Sequence, residues 1–260
     1  MTGPAGPEDE PPVLAPWGGD AAVLERLGGG YRNRVWAVRV GGRRGVARDS
    51  GAGRSGPALD WELELLRDLA AAGFRVPEPV PATDGRPRVG GLVVTTWLDG
   101  DPPAGEGDWR LVADELARLH RFTAGRAQRP GFASTRDLLV GERGGDVDLG
   151  RMPAEVVALC RAAWSALACT PGSVVQGDPG PQNLRLLRGR VGLLDWDESR
   201  VDCPELDLAW LPLDRLGPRR DPARTAAEAW EVANGWTVEP AHAQRRLTEL
   251  RRRLEAAPGS

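Results

Sequence analysis

Asp178 and Asn183 stand five residues apart in VVQGDPGPQN (Val174 to Asn183), and Asp195 follows twelve residues later in VGLLDWDES. Two carboxylates and one amide oxygen form a hard-oxygen set, suited to Mg2+ rather than to a softer metal. The intervening sequence explains how they would meet. Gly177, Pro179, Gly180 and Pro181 force a loop after two apolar valines. NLRLL and RVGLLD then flank Arg188-Gly189, the length of a two-residue hairpin turn. Folded so, the hairpin returns Asp195 to the end from which Asn183 departs, with Asp178 just before both. Asp197, two residues further on, points to the same side as Asp195 if the strand continues.

These residues need a scaffold, and the sequence outlines one. NRVWAVRV alternates, GGRR turns and GVAR follows, which predicts a hairpin. ALDWELELLRDLAAAGF predicts a helix stopped by Gly73. GLVVTTWL (Gly91 to Leu98) predicts a buried strand, and DGDPPAGEGD then breaks the pattern. DWRLVADELARLHRF puts Trp109, Val112, Leu116, Leu119 and Thr123 on one helical stripe, with Asp108 as the N-cap. MPAEVVALCRAAWSAL opens on Pro153. RTAAEAWEVANGW and PAHAQRRLTELRRRLEAA supply two more helices. A β-rich first third before a helical remainder predicts an α+β chain of two lobes, residues 20–98 and 99–260. Residues 1–19, acidic and rich in Gly and Pro, predict a flexible tail without the marks of a signal peptide.

Composition narrows the chemistry. The chain has 260 residues, 41% hydrophobic and 27% charged, enough for two lobes with cores of their own. All 34 basic residues are Arg, and no Lys occurs. That excludes a P-loop and any Schiff-base mechanism. The two histidines, His120 and His242, do not suffice for a multi-His metal site. A net charge of −3 implies no general affinity for nucleic acid. No apolar run is long enough for a transmembrane helix. Cys160, Cys169 and Cys203 lack a CxxC spacing and read as reduced thiols of a cytoplasmic protein.

QGDPGPQN together with LLDWDESRVDCPELDLAWL resembles the aminoglycoside phosphotransferase and choline kinase-like family. There the loop reads H-G-D-x-x-x-x-N and the metal motif reads I-D-W. The resemblance spans about Leu27 to Trp236. It implies a two-lobed protein-kinase-like fold, with a β-rich nucleotide-binding N-lobe and a helical C-lobe. It also implies ATP- and Mg2+-dependent phosphoryl transfer to a hydroxyl group of a small molecule. On this resemblance Asp178 is the catalytic base, and Asn183 and Asp195 hold Mg2+. LGGGYRN sets Gly28, Gly29 and Gly30 in a strand-turn-strand context where backbone amides can approach phosphates. Asn33 is either a phosphate contact or a plain turn residue. Glu62 shares the apolar stripe of its helix with Leu59 and Leu66, and a carboxylate there needs a cation. Arg48 stands where kinase-like folds place a Lys, so it is expected to pair with Glu62 and contact the α- and β-phosphates. Adenine is expected at hinge backbone groups of Thr96, Trp97 and Leu98, in the cleft between the lobes. Asp207 reads as structural, and His120 as a satisfied helix histidine.

The chain departs from the family pattern at two places. Gln176 replaces the loop His, which predicts a less well fixed loop. Arg48 replaces Lys, a planar fork for a point charge. Both leave open a second reading, a nucleotide-binding regulator without turnover. Seven acidic residues and one Arg lie between Asp195 and Asp214. Asp197, Glu198, Asp202 and Glu205 form either an acidic rim for a cationic acceptor or a solvated surface balancing the Arg-rich last helices.

Overall fold

The computed structural model describes residues 11–28, 33–50 and 56–256. The chain divides into two compact units, Met1–Asp99 and Gly100–Ser260.

The first unit is built on an antiparallel four-stranded sheet in sequential order. Its strands are β1 (Ala22–Leu27), β2 (Arg34–Val40), β3 (Arg43–Asp49) and β4 (Leu92–Thr96). Gly41 and Gly42, at φ 55° and 73°, make the two-residue β2–β3 turn, whose twist matches that of the strands. Helix α1 (Gly56–Ala71) follows β3 in sequence and buries Leu59, Leu63, Leu66 and Leu69. Gly73, at φ 80°, ends it: Phe74 N donates to Leu69 O and Gly73 N to Ala70 O, each at 2.9 Å. Trp36, Val38, Ala47 and Val94 form a core with Leu14 and Trp17. Trp17 is 4% exposed and its Nε1 donates to Val80 O at 2.8 Å. The tail expected over residues 1–19 therefore does not extend through Leu14 and Trp17. Their apolar burial outweighs the polar, Pro-rich composition around them.

The second unit begins with α2 (Glu106–Phe122). Asp108 is not its N-cap; it lies in the first turn and accepts from the amides of Ala104 (3.0 Å) and Gly105 (3.4 Å). Val112, Leu116 and Leu119 are fully buried on the expected stripe. Thr123 continues it and serves a second purpose. Its Oγ1 donates to Leu119 O at 2.9 Å and accepts from Val174 N at 2.9 Å, tying the helix end to the strand that leads into the Asp178 loop. After the small hairpin β5 (Arg143–Gly144) and β6 (Val147–Asp148) comes α3 (Ala154–Ala166). Strand β7 (Ser173–Val175) precedes the hairpin β8 (Leu184–Leu187) and β9 (Arg190–Leu193), and β10 (Arg200–Asp202) pairs back antiparallel with β7. Arg188 and Gly189, at φ 51° and 71°, form the two-residue turn read from the sequence. A short helix α4 (Glu205–Leu208) leads to α5 (Arg220–Gly235) and α6 (Pro240–Ala256). Ala223, Ala226, Ala229 and Ala233 of α5 are fully buried, and such small side chains allow close helix packing in the core that α5 shares with α3 and α6. No helix among the described residues is long and apolar enough to cross a membrane.

The reading of three reduced cysteines is corrected here. Cys169 and Cys203 form a disulfide, and Cys160 alone is free and buried. The cause is the β7–β10 ladder, which pairs Ser173 with Asp202 and brings the flanking cysteines to a Cα separation of 6.1 Å.

Candidate active site

Val174 and Val175 are completely buried in β7, and the chain leaves them through a loop held at its first two amides. Gln176 N donates to Asp207 Oδ2 (2.9 Å) and Gly177 N to Asp207 Oδ1 (3.0 Å). His120 Nε2 lies 2.8 Å from the same Oδ2, so α2 orients the carboxylate that α4 presents to the loop. Gly177 is required there. At φ 102° it is left-handed, and an added Cβ would lie 2.8 Å from Glu198 Cβ.

Asp178 and Asn183 meet directly. Asn183 Nδ2 donates to Asp178 Oδ2 at 2.8 Å and to Asp178 O at 2.9 Å. Gln182 Nε2 adds a bond to Oδ2 at 3.1 Å. Both bonds use the NH2 group of Asn183, which leaves its Oδ1 as the atom with the chemistry to serve a cation. Asp178 is open to solvent on one side, yet protein atoms crowd it. Lost hydration, and then the negative charge of Glu231, push its carboxyl above the usual range, against the bonds from Gln182, Asn183 and the Gly180 amide.

Asp195 arrives by the hairpin. Leu184 pairs with Leu193, and Leu194 N donates to Asn183 O at 2.8 Å, which sets Asp195 at the Asn183 end. The strand does not continue. Asp195 takes φ 49°, which turns the chain out of the β9 direction. Asp195 remains exposed, whereas Asp197 is 5% exposed and turned inward, with its amide 3.4 Å from Asp195 Oδ1. The two carboxylates therefore do not share a side, contrary to the alternation expected for an unbroken strand. The exposed carboxylate of Asp195 and the amide oxygen of the buried Asn183, at one hairpin end, fit Mg2+ by donor chemistry.

Gln176 corrects the expectation of a loosened loop. Its Oε1 accepts from Asp178 N at 2.8 Å, and its Nε2 donates to Leu194 O (2.8 Å) and Asp195 O (2.7 Å). One amide thus joins the Asp178 loop to the turn at Asp195.

In the first unit Arg48 Nη2 and Glu62 Oε1 form an ion pair at 2.5 Å, with side chains 13% and 3% exposed. Asn33 is half-buried just before β2. Gly29 and Gly30 lie outside the described residues. Thr96, Trp97 and Leu98 are half-buried where β4 ends. Two of their amides face inward: Thr96 N donates to Glu78 O (2.9 Å) and Trp97 N to Arg44 O (3.4 Å). The Arg44 guanidinium lies 3.8 Å from the Trp97 ring centroid, a stacking that no local motif announced.

The acidic rim is not built as expected. Asp202 is wholly buried, bonded to Thr135 Oγ1 (2.7 Å), Thr135 N (3.0 Å) and Arg200 Nε (2.9 Å). Glu205 pairs with Arg219 at 2.6 Å. Glu198 is half-buried and accepts from Trp230 Nε1 at 3.3 Å. The carboxylate whose charge acts on Asp178 is Glu231 of α5, bonded in turn to His242 of α6 at 3.1 Å. Sequence reading missed Glu231, because its proximity is created by tertiary packing alone.

The model of the phosphotransferase enzyme family matches residues 23–248. No curated protein matches the chain. Among solved structures, choline kinase LicA from Streptococcus pneumoniae superposes with a TM-score of 0.65 at 16% identity, covering 91% of this chain and 94% of that one. A ternary complex of a thermostable mutant of aminoglycoside phosphotransferase APH(4)-Ia with ADP and hygromycin B gives 0.62 at 16% identity, covering 92% and 96%. The microcompartment-associated aminopropanol kinase gives 0.59 at 17%, covering 90% of each chain. At these identities the likeness establishes the kinase-like α+β fold.

Proposed function

The chain belongs to the phosphotransferase enzyme family, and from that premise we propose that it transfers the terminal phosphoryl group of ATP, with Mg2+, to a hydroxyl group of a small cationic molecule. The observation that supports this most is the bond from Asn183 to Asp178 at the hairpin end where Asp195 emerges.

Asp178 Oδ2 is held by Asn183 and Gln182, which fixes the carboxylate plane and presents the other oxygen to an acceptor hydroxyl. That oxygen accepts the hydroxyl proton as the acceptor oxygen bonds to the terminal phosphorus and the bond from that phosphorus to the bridging oxygen breaks, with ADP leaving. A carboxyl raised above its usual range holds the proton better than an ordinary one. Asn183 and Asp195 would hold Mg2+, which when bound supplies positive charge to phosphate oxygens. Arg48, oriented by Glu62, offers a planar guanidinium to the α- and β-phosphates. Asn33 and the Gly29–Gly30 segment are assigned to phosphate contact, and Thr96, Trp97 and Leu98 to the base. Glu231 and Glu198 supply the negative charge that favours a cationic acceptor, in place of Asp202 and Glu205. Choline, aminopropanol and hygromycin B, named with the similar structures, contain amines or a quaternary ammonium beside hydroxyls. The bonds made by Gln176 and by Arg48 favour turnover over the regulator reading, since both replacements engage their neighbours.

The test is phosphoryl transfer from ATP to a panel of amino alcohols, aminoglycosides and neutral sugars. Asp178→Asn is expected to lower turnover by roughly 10²–10⁴-fold while nucleotide still binds. Wild-type turnover in that variant removes Asp178 from the mechanism, and preference for neutral sugars rejects the cationic acceptor.

A further inference from the structure

Asp195 is a non-glycine residue at φ 49°, a conformation that carries a backbone cost and relaxes unless its surroundings hold it. Two fully buried side chains grip the backbone on either side of it. Gln176 Nε2 reaches the carbonyls of Leu194 and Asp195, at 2.8 and 2.7 Å. Arg129 Nη1 lies 3.0 Å from Trp196 O, 3.1 Å from Asp197 O, 3.2 Å from Ser199 O and 3.3 Å from Ser199 Oγ. These two residues therefore engage four consecutive carbonyls, from Leu194 to Asp197, and Trp196 O also accepts locally from Ser199 N (3.1 Å) and Ser199 Oγ (2.6 Å).

Each gripping residue is itself fixed. Gln176 is anchored by its own amide on Asp207 and by the Asp178 amide on its Oε1. Arg129 follows Gln128, whose side chain pairs with β10 like an extra strand, accepting from Val201 N (2.9 Å) and donating to Val201 O (2.8 Å). The Arg129 guanidinium also lies 4.4 Å from the Phe132 ring centroid. We propose that Gln176 and Arg129 are positioning residues: acting from opposite sides, they hold Asp195 in its left-handed conformation and so keep its carboxylate aimed for a divalent cation. The proposal rests on the reading of Asp195 as a Mg2+ ligand. It makes the departure at Gln176 a means of preorganisation. A neutral imidazole has one donor and one acceptor, whereas this amide serves two carbonyls and one N–H at once.

The experiment titrates Mg2+ against binding of a non-hydrolysable ATP analogue to the full chain, with binding in EDTA as the metal-free reference. Gln176→Glu keeps size and the acceptor for Asp178 N but removes both donors. Gln176→Asn keeps the amide but withdraws it by one methylene, and it carries the same test if the first variant does not fold. Both are expected to need about 10-fold more Mg2+ for half-maximal binding, the lower end for loss of a group that orients a ligand. Metal-free affinity should stay within about twofold of wild type, and kcat should fall with the acceptor KM unchanged, because only the metal's partner has moved. Arg129→Lys should shift the Mg2+ requirement in the same direction. A merely structural role would lower thermal stability and leave that requirement alone. Wild-type Mg2+ demand in folded Gln176 variants, with demand lost in Asp195→Ala, overturns the proposal and leaves the metal reading intact. Wild-type demand in Asp195→Ala overturns the metal reading, and the proposal with it.

Discussion

The Cys169–Cys203 disulfide closes a ring around Asp178, Asn183 and Asp195, and its removal has a calculable effect. The cysteines are 34 residues apart in sequence. A ring of that size removes about 13 cal/mol/K of chain entropy from the unfolded state, or about 4 kcal/mol at 25 °C. The noncovalent tie it reinforces is short, since β7 and β10 share three residue pairs. For a unit of this size about 4 kcal/mol corresponds to a fall in Tm of roughly 8–16 °C. The assay is calorimetry of the oxidised protein, the reduced protein and a Cys169→Ser/Cys203→Ser double variant, with nonreducing peptide mapping to confirm the cross-link. The reduced protein and the double variant should melt together, and reductant should not move the variant further. A difference under about 2 °C between oxidised and reduced protein would refute the entropic argument, because it corresponds to less than about 1 kcal/mol.

Glu62→Ala should cost about 3–5 kcal/mol in denaturant unfolding, the range for breaking a buried ion pair, and a double-mutant cycle with Arg48→Ala should show coupling; additivity would mean that the pair contributes nothing jointly. Burial pushes the Cys160 thiol up to about 12, so iodoacetamide at pH 8 should label it only after denaturation, and rapid labelling of the native protein would contradict that burial. The His242 imidazole is raised above its usual range, chiefly by its bond to Glu231, with Arg246 opposing and Glu239 adding to it. Its stabilisation is therefore full below the ordinary histidine value and is lost as pH rises through the raised one. Urea midpoints should fall between pH 6 and pH 8.5 in wild type by more than in His242→Gln; equal slopes would remove His242 from the pH dependence.

The hairpin was legible because its instructions are local: Arg188-Gly189 sets the turn and the flanking apolar residues set the strands. The arrival of Asn183 and Asp195 at one hairpin end followed from that turn. The need of Glu62 for a cation followed from its place on an apolar stripe, and Arg48 as that cation from the family resemblance. The inward turn of Asp197 was not legible. It depends on the sign of φ at Asp195, and the groups that hold this are Gln176 and Arg129, remote in sequence. Asp202 read as a rim residue because nothing near it announces Thr135, which satisfies both of its oxygens. The disulfide was hidden for the same reason: strands of three residues each, too short to be recognised as a pair, bring its cysteines together. Leu14 and Trp17 were concealed by neighbours typical of a tail, although a buried Trp alone can anchor a segment.

Arg48 beside Glu62, in a chain without lysine, also determines which reagents can report on this enzyme. Electrophilic nucleotide analogues that capture ATP sites by acylating a nearby amine have no side-chain amine to attack at any position. Surveys of a proteome that rely on such capture will pass over it even when nucleotide is bound. Dicarbonyl compounds that condense with guanidinium groups are the matching chemistry, with ATP protection of Arg48 as the readout. Regulation by acetylation or ubiquitin conjugation of lysine is closed to the chain on the same ground.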